Sequence, residues 1–276
     1  YANYLGKYII EKSGLCMKSK KKIDVIVEAR MTSSRLPGKI LLTACGLPLL
    51  QLMIERLKMI HLVDDIIIAT TTNQSDDIIV SLCNQLGVHY FRGSEDDVLG
   101  RVVKAAQQYK TDIIVEITSD NPLIDPDLCN NIIEKYLELG LNIDFVSNDI
   151  GCYRDDVKIT FPLGLCNTKV FKRTLLEEVE KIAFHQADRE HVVNYIVNNP
   201  DKYNTYNIYA QKKYCRPDIR LTLDYPEDYK VIKNVFEALY SLKANFTADD
   251  IIAYLDKNIK IKSLNENCIQ QRYKYC

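Results

Sequence analysis

Ile23-Asp24-Val25-Ile26-Val27-Glu28 runs without a break into Ala29-Arg30-Met31-Thr32-Ser33-Ser34-Arg35-Leu36-Pro37-Gly38-Lys39. The first six residues are mostly apolar and end at a polar loop, which reads as a buried strand. Onward from it, short apolar runs alternate with amphipathic stretches as far as about Ser147. Strands are predicted at 23–28, 66–70, 88–92, 112–117 and 144–146, with helices at 49–59, 76–86, 96–109 and 126–139. Such alternation builds a Rossmann-like, doubly wound α/β fold with a mostly parallel sheet. Ser75 is expected to cap the helix at Asp76, and Ser94 with Asp97 has capping-box spacing. Beyond Ser147 the pattern is less regular: helices at 172–183 and 188–199, an alternating strand at 203–209, a strand at 221–223, a helix at 226–242, and another opened by Thr247 with Asp250. We expect a terminal extension at 1–22, one domain at 23–262 with a small inserted lobe at about 148–216, and a tail at 263–276.

Composition narrows the partners. The chain has 276 residues, 47% hydrophobic and 26% charged, with 36 basic against 37 acidic side chains and a net charge of -1. That balance fits an ordinary globular protein and argues against a dedicated nucleic-acid or membrane-surface binder, which needs a basic excess. No apolar run approaches the ~20 residues of a membrane span. Nine cysteines without a C-x-x-C pair suggest neither a disulfide framework nor a zinc ribbon, and fit a reducing cytoplasm. The stretch 1–16 lacks the basic and apolar regions of a signal peptide, and Met17 reads as an alternative start. A small-molecule partner is expected.

Open α/β sheets bind ligands beyond the carboxyl ends of their strands, so the loops there carry the chemistry. The first loop places Arg30, Arg35 and Lys39 beside the hydroxyls of Thr32, Ser33 and Ser34. Backbone N–H groups, hydroxyls and several cations are what a polyphosphate needs, although a Walker A loop is absent. Two acidic turns follow strands elsewhere, at Asp120-Asn121-Pro122 and at Asp224-Tyr225-Pro226-Glu227-Asp228. Asp120 and Asp224 could share Mg²⁺, which takes oxygen ligands and pairs one or two carboxylates with substrate phosphates. Each turn also fits plain turn and helix-start chemistry. Asp125-Pro126-Asp127 matches the D-x-D of metal-dependent glycosyltransferases, but Pro126 in the first turn makes it a helix start. Arg92-Gly93-Ser94 and Thr70-Thr71-Thr72-Asn73 follow two other strands and could meet a base or ribose, or be turns. His191 sits on a predicted helix, where a lone histidine is commonly packed or exposed.

The motifs together resemble the cytidylyltransferases that include the CMP-Kdo and CMP-acylneuraminate synthetases, in the branch of the spore-coat polysaccharide proteins. The resemblance rests on residues 27–39, on Phe91-Arg92-Gly93-Ser94-Glu95-Asp96-Asp97, on Thr160-Phe161-Pro162-Leu163-Gly164, on Arg189-Glu190-His191-Val192, and on Arg220-Leu221-Thr222-Leu223-Asp224, in that order. It implies a nucleotide-diphospho-sugar-transferase-type fold and transfer of CMP from CTP to an acceptor oxygen with release of pyrophosphate. By resemblance Arg30, Lys39, Asp120 and Asp224 would be catalytic, with Asp120 and Asp224 on Mg²⁺. Ala29, Arg30, Met31, Thr32, Ser33, Ser34, Arg35, Lys39, Thr71, Arg92, Gly93 and Ser94 would hold the nucleotide. Asn148, Thr160, Arg189 and His191 would meet the acceptor, a sugar acid or a related phosphorylated compound. The 148–216 segment would help form a homodimer.

The chain also departs from the branch. The Pro-x-Gly turn is followed by Leu165-Cys166-Asn167-Thr168-Lys169-Val170-Phe171 where the branch commonly has Leu-Asp and then Glu-Val-Phe, and 149–158 is longer than expected. Both stretches should face the acceptor. Two other enzymes compete: a nucleotidyltransferase using GTP or UTP, and a metal-dependent GT-A glycosyltransferase using Asp125 and Asp127 on a nucleotide sugar. The second gives no reason for the cluster from Arg35 to Lys39. A non-catalytic descendant would have lost a cation or a carboxylate, and none is missing.

Overall fold

The computed structural model describes residues 20–270. The 1–16 stretch, the Met17 start and positions 271–276 of the tail lie outside the described residues. In chain order the strands are β1 (Ile23–Glu28), β2 (Thr43–Ala44), β3 (Leu47–Pro48), β4 (Asp65–Thr71), β5 (His89–Gly93), β6 (Ile113–Thr118), β7 (Phe145–Ser147), β8 (Lys169–Lys172) and β9 (Thr205–Asn207). The helices are α1 (Leu49–Leu57), α2 (Asp77–Leu86), α3 (Val98–Gln108), α4 (Pro126–Leu139), α5 (Arg173–Glu180), α6 (Gln186–Glu190), α7 (Asn194–Val197), α8 (Pro226–Leu239), α9 (Ala248–Lys257) and α10 (Ile259–Lys262).

Seven strands form one sheet in the order β5-β4-β1-β6-β8-β7-β9, and β2 and β3 form a small hairpin. β1 lies in the middle of the parallel part, between β4 and β6, with Val27 opposite Ile68 on one side and Ile117 on the other. Only β8 runs against its neighbours. Helices cover both faces. Val25, Val27, Ile68 and Val115 meet Leu50, Ile54, Ile133, Ile232 and Leu255 on one face. Ile26, Ile67, Ile114 and Phe171 meet Val102, Ala106 and Leu176 on the other. Each such side chain taken fully out of water contributes about 1.5–3 kcal/mol, which is why β1 carries almost no polar residue between its ends. The expected α/β fold with a mostly parallel sheet is therefore the observed one, and the 148–216 segment supplies β8, β9 and α5 to α7.

Several local expectations need correction. Residues 221–223 are extended but join no sheet: Leu221 N–H donates to Leu163 O at 2.6 Å and Leu223 N–H to Asp120 O at 2.7 Å, so two loops take the bonds that a strand would offer. The 188–199 helix breaks into α6 and α7, because His191 leaves helical geometry at φ -112° and ψ 91°. α2 begins after a 3₁₀ turn at Gln74–Asp76, and Ser75 caps nothing. Asp97 itself caps α3, accepting from Gly100 N–H at 2.9 Å, while Ser94 Oγ accepts from Asp97 N–H. The Thr247–Asp250 capping box forms as read. Strand β8 was not foreseen, since four residues with a lysine at each end show no alternation. Among the described residues no helix is long and apolar enough to cross a membrane.

Candidate active site

Because β1, β4, β5 and β6 are parallel, the loops after all four emerge at one edge of the sheet. The 29–39 loop is closed on itself: Ser33 N–H and Gly38 N–H both donate to Met31 O, at 3.0 and 2.9 Å. Gly38 has φ +69°, a left-handed backbone that glycine adopts without cost, and a short 3₁₀ turn at Lys39–Leu41 follows. Met31 N–H is tied to the carboxylate of Asp76 at 2.9 Å. Asp76 is fully buried and also accepts from the hydroxyls of Thr70, at 3.0 Å, and Thr71, at 2.6 Å. Burial would raise its pKa, but these donors outweigh burial and hold it below the usual carboxylate range. One carboxylate thus locks the first loop to the loop after β4, a role that the sequence reading missed.

The cations and the two acidic turns meet across the chain. Arg35 Nη2 lies 2.5 Å from Asp224 Oδ1, a contact spanning 189 residues. Lys39 Nζ is 3.1 Å from Asp224 Oδ1 and 3.7 Å from Asp120 Oδ2, and it donates to Leu223 O at 2.6 Å. Arg220 Nη2 reaches the other Asp224 oxygen at 3.1 Å. Burial opposes ionisation of Asp224, yet Lys39 and Arg35 prevail and depress its pKa. The Leu223–Asp120 backbone bond welds the two turns together. Two carboxylates with no third acid or imidazole is a hard-oxygen donor set suited to Mg²⁺ that completes its shell with phosphates and water. Among the described residues no group of three or more His, Cys, Asp or Glu could hold a metal ion. Asp125 is not available for that work: it is buried as the cap of α4, accepting from Leu128 N–H at 2.9 Å and Ala248 N–H at 2.6 Å.

An open cleft is lined by Ala29, Arg30, Ser33, Lys39, Ser119 and Asp120 together with Arg101, Glu190 and His191. Met31, Thr32, Ser34 and Arg35 belong to the same loop but do not line this cleft. Thr32 is hydrogen-bonded to Glu95, which also accepts from Asn73 Nδ2 at 2.5 Å and lies 3.7 Å from Arg30. Those donors keep Glu95 below its usual pKa. Thr71, Arg92, Gly93 and Ser94 stand at the β4–β5 end of the same edge. Arg92 donates to Thr71 O and Asn73 O, both at 2.8 Å, and pairs with Asp77 at 2.6 Å, so it braces the loop.

A second cleft adjoins the first, and Glu28, Thr118, Asp120, Glu190 and His191 line both. Of the four residues assigned to the acceptor, only His191 lines it. Asn148 is buried behind it, bonded to Cys166 Sγ and Thr168 N–H. Thr160 accepts from Ala210 N–H at 2.9 Å, and Arg189 is paired with Asp97 at 2.5 Å. What fills the second cleft instead is a polar row that the sequence reading passed over. Lys169 stands directly opposite Glu116 on β6 and Ser147 on β7. Its Nζ lies 2.9 Å from Glu116 Oε2 and 3.6 Å from Asp149 Oδ2. Burial disfavours its charge, but Glu116 and the other acids raise its pKa all the same. Glu28 lies beside Glu116; burial and that neighbour push its pKa well up. His191 is held down to about 4 by burial, Lys169 and Arg30, and is neutral at neutral pH. The signal was present: glutamate inside the apolar run Ile113–Thr118 must find a partner on a sheet covered on both faces.

Comparison with known proteins agrees with this geometry. The family profile described as cytidylyltransferase matches residues 25–259. A Methanocaldococcus jannaschii protein described as uncharacterized is 38% identical, over 92% of this chain and 98% of its own. The spore coat polysaccharide biosynthesis protein SpsF of Bacillus subtilis is 32% identical, over 84% of this chain and 93% of its own. The solved structure of a cytidylyltransferase from Leptospira borgpetersenii superposes with a TM-score of 0.81 at 31% identity, over 93% of this chain and all of that one. With this match along most of its length, the chain belongs to the cytidylyltransferase family and is a nucleotidyltransferase.

Proposed function

We propose that this enzyme transfers CMP from CTP to an oxygen of a sugar acid or related phosphorylated acceptor, releasing pyrophosphate with Mg²⁺, in the biosynthesis of a surface polysaccharide or glycoconjugate. The observation that carries the proposal is the convergence of Arg35 and Lys39 on Asp224 and Asp120. Arg30, Lys39 and the loop hydroxyls hold the triphosphate, while Arg35 and Lys39 exchange their carboxylate partners for phosphate oxygens as the nucleotide binds. Asp120 and Asp224, released from those cations, hold the metal. Mg²⁺ supplies charge neutralisation on the phosphates and orients the leaving pyrophosphate. The acceptor enters the second cleft and its oxygen attacks the α-phosphorus in line with that leaving group. Glu28 and His191, which line both clefts, stand where the two substrates meet. The likeness to the CMP-sugar synthetases supports a cytoplasmic homodimer assembled partly through the 148–216 segment.

The test is a pyrophosphate-release screen of CTP, GTP and UTP, each with Mg²⁺ and a panel of sugar acids and phosphates. CTP-dependent release is expected. Release only from GTP or UTP would reassign the base, and turnover of a sugar nucleotide in place of any free triphosphate would favour the glycosyltransferase. Asp224→Ala should remove most turnover, because one well-placed electrostatic contact to developing charge is worth about 3 kcal/mol, or on the order of 10²-fold.

A further inference from the structure

Two acids meet on the floor of the second cleft. Glu28 stands opposite Thr118 on β6, so Glu116, two residues back on the same face, is its diagonal neighbour, and Lys169 stands opposite Glu116 on β8. The two carboxyl groups are hydrogen-bonded to each other, and burial together with the Glu116 charge drives Glu28 toward its neutral form against the pull of Lys169 and Arg101. Glu28 Oε1 is sealed from solvent, and no donor among the described residues reaches it. A proton held by the pair removes the cost of that sealed oxygen. Lys169, between Glu116 and Asp149, keeps Glu116 as the ionised member. The wall acids are paired in turn: Asp120 with Lys39, Asp224 with Lys39, Arg35 and Arg220, and Glu190 with Arg30. With these charges matched, the acceptor group that meets Glu28 is a neutral one. Glu28 is half-buried, ends β1 just before the 29–39 loop, and lines both clefts. It therefore stands between the triphosphate site and the acceptor, where a nucleophile must lose its proton.

Building on the cytidylyltransferase reading, we propose that Glu28 and Glu116 form a carboxyl dyad with one shared proton, and that this dyad takes up the proton of the acceptor's attacking hydroxyl. As the hydroxyl oxygen bonds to the α-phosphorus and the bond to pyrophosphate breaks, the hydroxyl proton passes to the Glu28 oxygen that faces the clefts. The shared proton moves on to Glu116 in the same step. Glu28 stays neutral, Glu116 becomes neutral, and Lys169 leans on Asp149. One proton returns to water after the products leave. Glu28 is a catalytic residue because it touches the hydroxyl; Glu116 acts through it and is a positioning residue. A phosphate oxygen, already ionised at neutral pH, would have no use for the dyad, so the attacking group is a hydroxyl.

The experiment has a kinetic arm and a spectroscopic one. Wild-type protein is given CTP, Mg²⁺ and a panel of sugar acids, led by 3-deoxy-manno-octulosonate, and sugar phosphates, and each product is read by ³¹P NMR. A CMP phosphodiester, the product of hydroxyl attack, is expected; a CDP-type pyrophosphate linkage, the product of phosphate attack, overturns the proposal. Glu28→Gln keeps the shape and the hydrogen bond to Glu116 but cannot pass a proton on. Its kcat should fall by about 10²-fold or more while KM for CTP and for the acceptor stays within about 3-fold. A kcat near wild type, or a loss confined to KM, overturns the proposal. Infrared spectroscopy of the wild-type protein at pH 7 should show the carbonyl band of a protonated carboxyl group, lost in Glu28→Gln; a missing band, or one that persists in the variant, overturns the dyad. If Glu28→Gln fails to fold, Glu116→Gln carries the same kinetic expectation, and if neither folds the wild-type band and product decide. Bound CTP with no turnover of any acceptor overturns the proposal and leaves the nucleotide reading standing. CTP that does not bind the wild-type protein overturns both.

Discussion

Asp76 and His191 show how single buried groups set up the site. Asp76 gathers Met31 N–H, Thr70 and Thr71 on one carboxylate. In Asp76→Ala these buried donors lose their acceptor, and at about 1–3 kcal/mol for each unsatisfied group the loss of stability should be on the order of 2–4 kcal/mol by urea denaturation. KM for CTP should rise more than kcat falls, because the change loosens the loop without touching the reacting atoms; an unchanged KM would mean that Asp76 serves stability alone. His191 gives a pH signature. Its folded pKa of about 4 lies below the ordinary histidine value, so the unfolded chain binds the extra proton between about pH 6.5 and 4 and stability falls as the solution is acidified. Below pH 4 both states are protonated and the loss is complete. Because the ring is only partly enclosed, the effect should be ~1–2 kcal/mol, and His191→Asn should show a flatter decline of Tm across that window. Parallel pH curves for the two proteins would contradict the assignment.

At the scale of elements, the site depends on segments whose conformation is fixed by contacts far away in sequence. Gly164 has φ +88°, and a Cβ there would stand 2.5 Å from Thr222 N and 2.6 Å from Leu221 C. Gly164→Ala should therefore push away the extended segment that delivers Asp224, with loss of most activity and a clear fall in Tm; a wild-type rate would show that the segment is not held from that side. Strands and helices with strong local patterns were legible from residues alone: β1 and α4 begin and end where periodicity and Pro126 put them. The 221–223 segment and β8 were not, since the first bonds to two loops and the second is fixed by Lys169 opposite Glu116, facts of topology that no local window contains. The same division holds for the site. Residue types and strand ends marked Arg30, Lys39, Asp120 and Asp224, whereas Asp76, Glu95 and the Glu28–Glu116–Lys169 row appear only once β1, β6 and β8 lie side by side.

For the whole molecule, one sheet edge collects groups from nearly the full length of the chain, and the last described residues belong to it. Asn265 Nδ2 donates to Arg220 O at 3.0 Å and to Asp228 Oδ1 at 2.8 Å, and Arg220 reaches Gln270 Oε1 at 2.5 Å. Truncation after Lys262 leaves Arg220 and Asp228 short of these partners. At about 1 kcal/mol for each of these three bonds, and a Tm shift of about 2–4 °C for each kcal/mol in a chain of this size, Tm should fall by roughly 6–12 °C. A smaller fall, within 1 °C by scanning calorimetry, would mean that the segment merely lies on the surface. The central claim is that the loop cations and the two acidic turns close around one magnesium triphosphate, and calorimetric titration of CTP with and without Mg²⁺ tests it most directly. Wild-type protein should bind CTP at least 10-fold more tightly with Mg²⁺, and Asp224→Ala, folded to the same Tm within a few degrees, should lose that gain. A gain from Mg²⁺ that survives unchanged in Asp224→Ala would contradict the account.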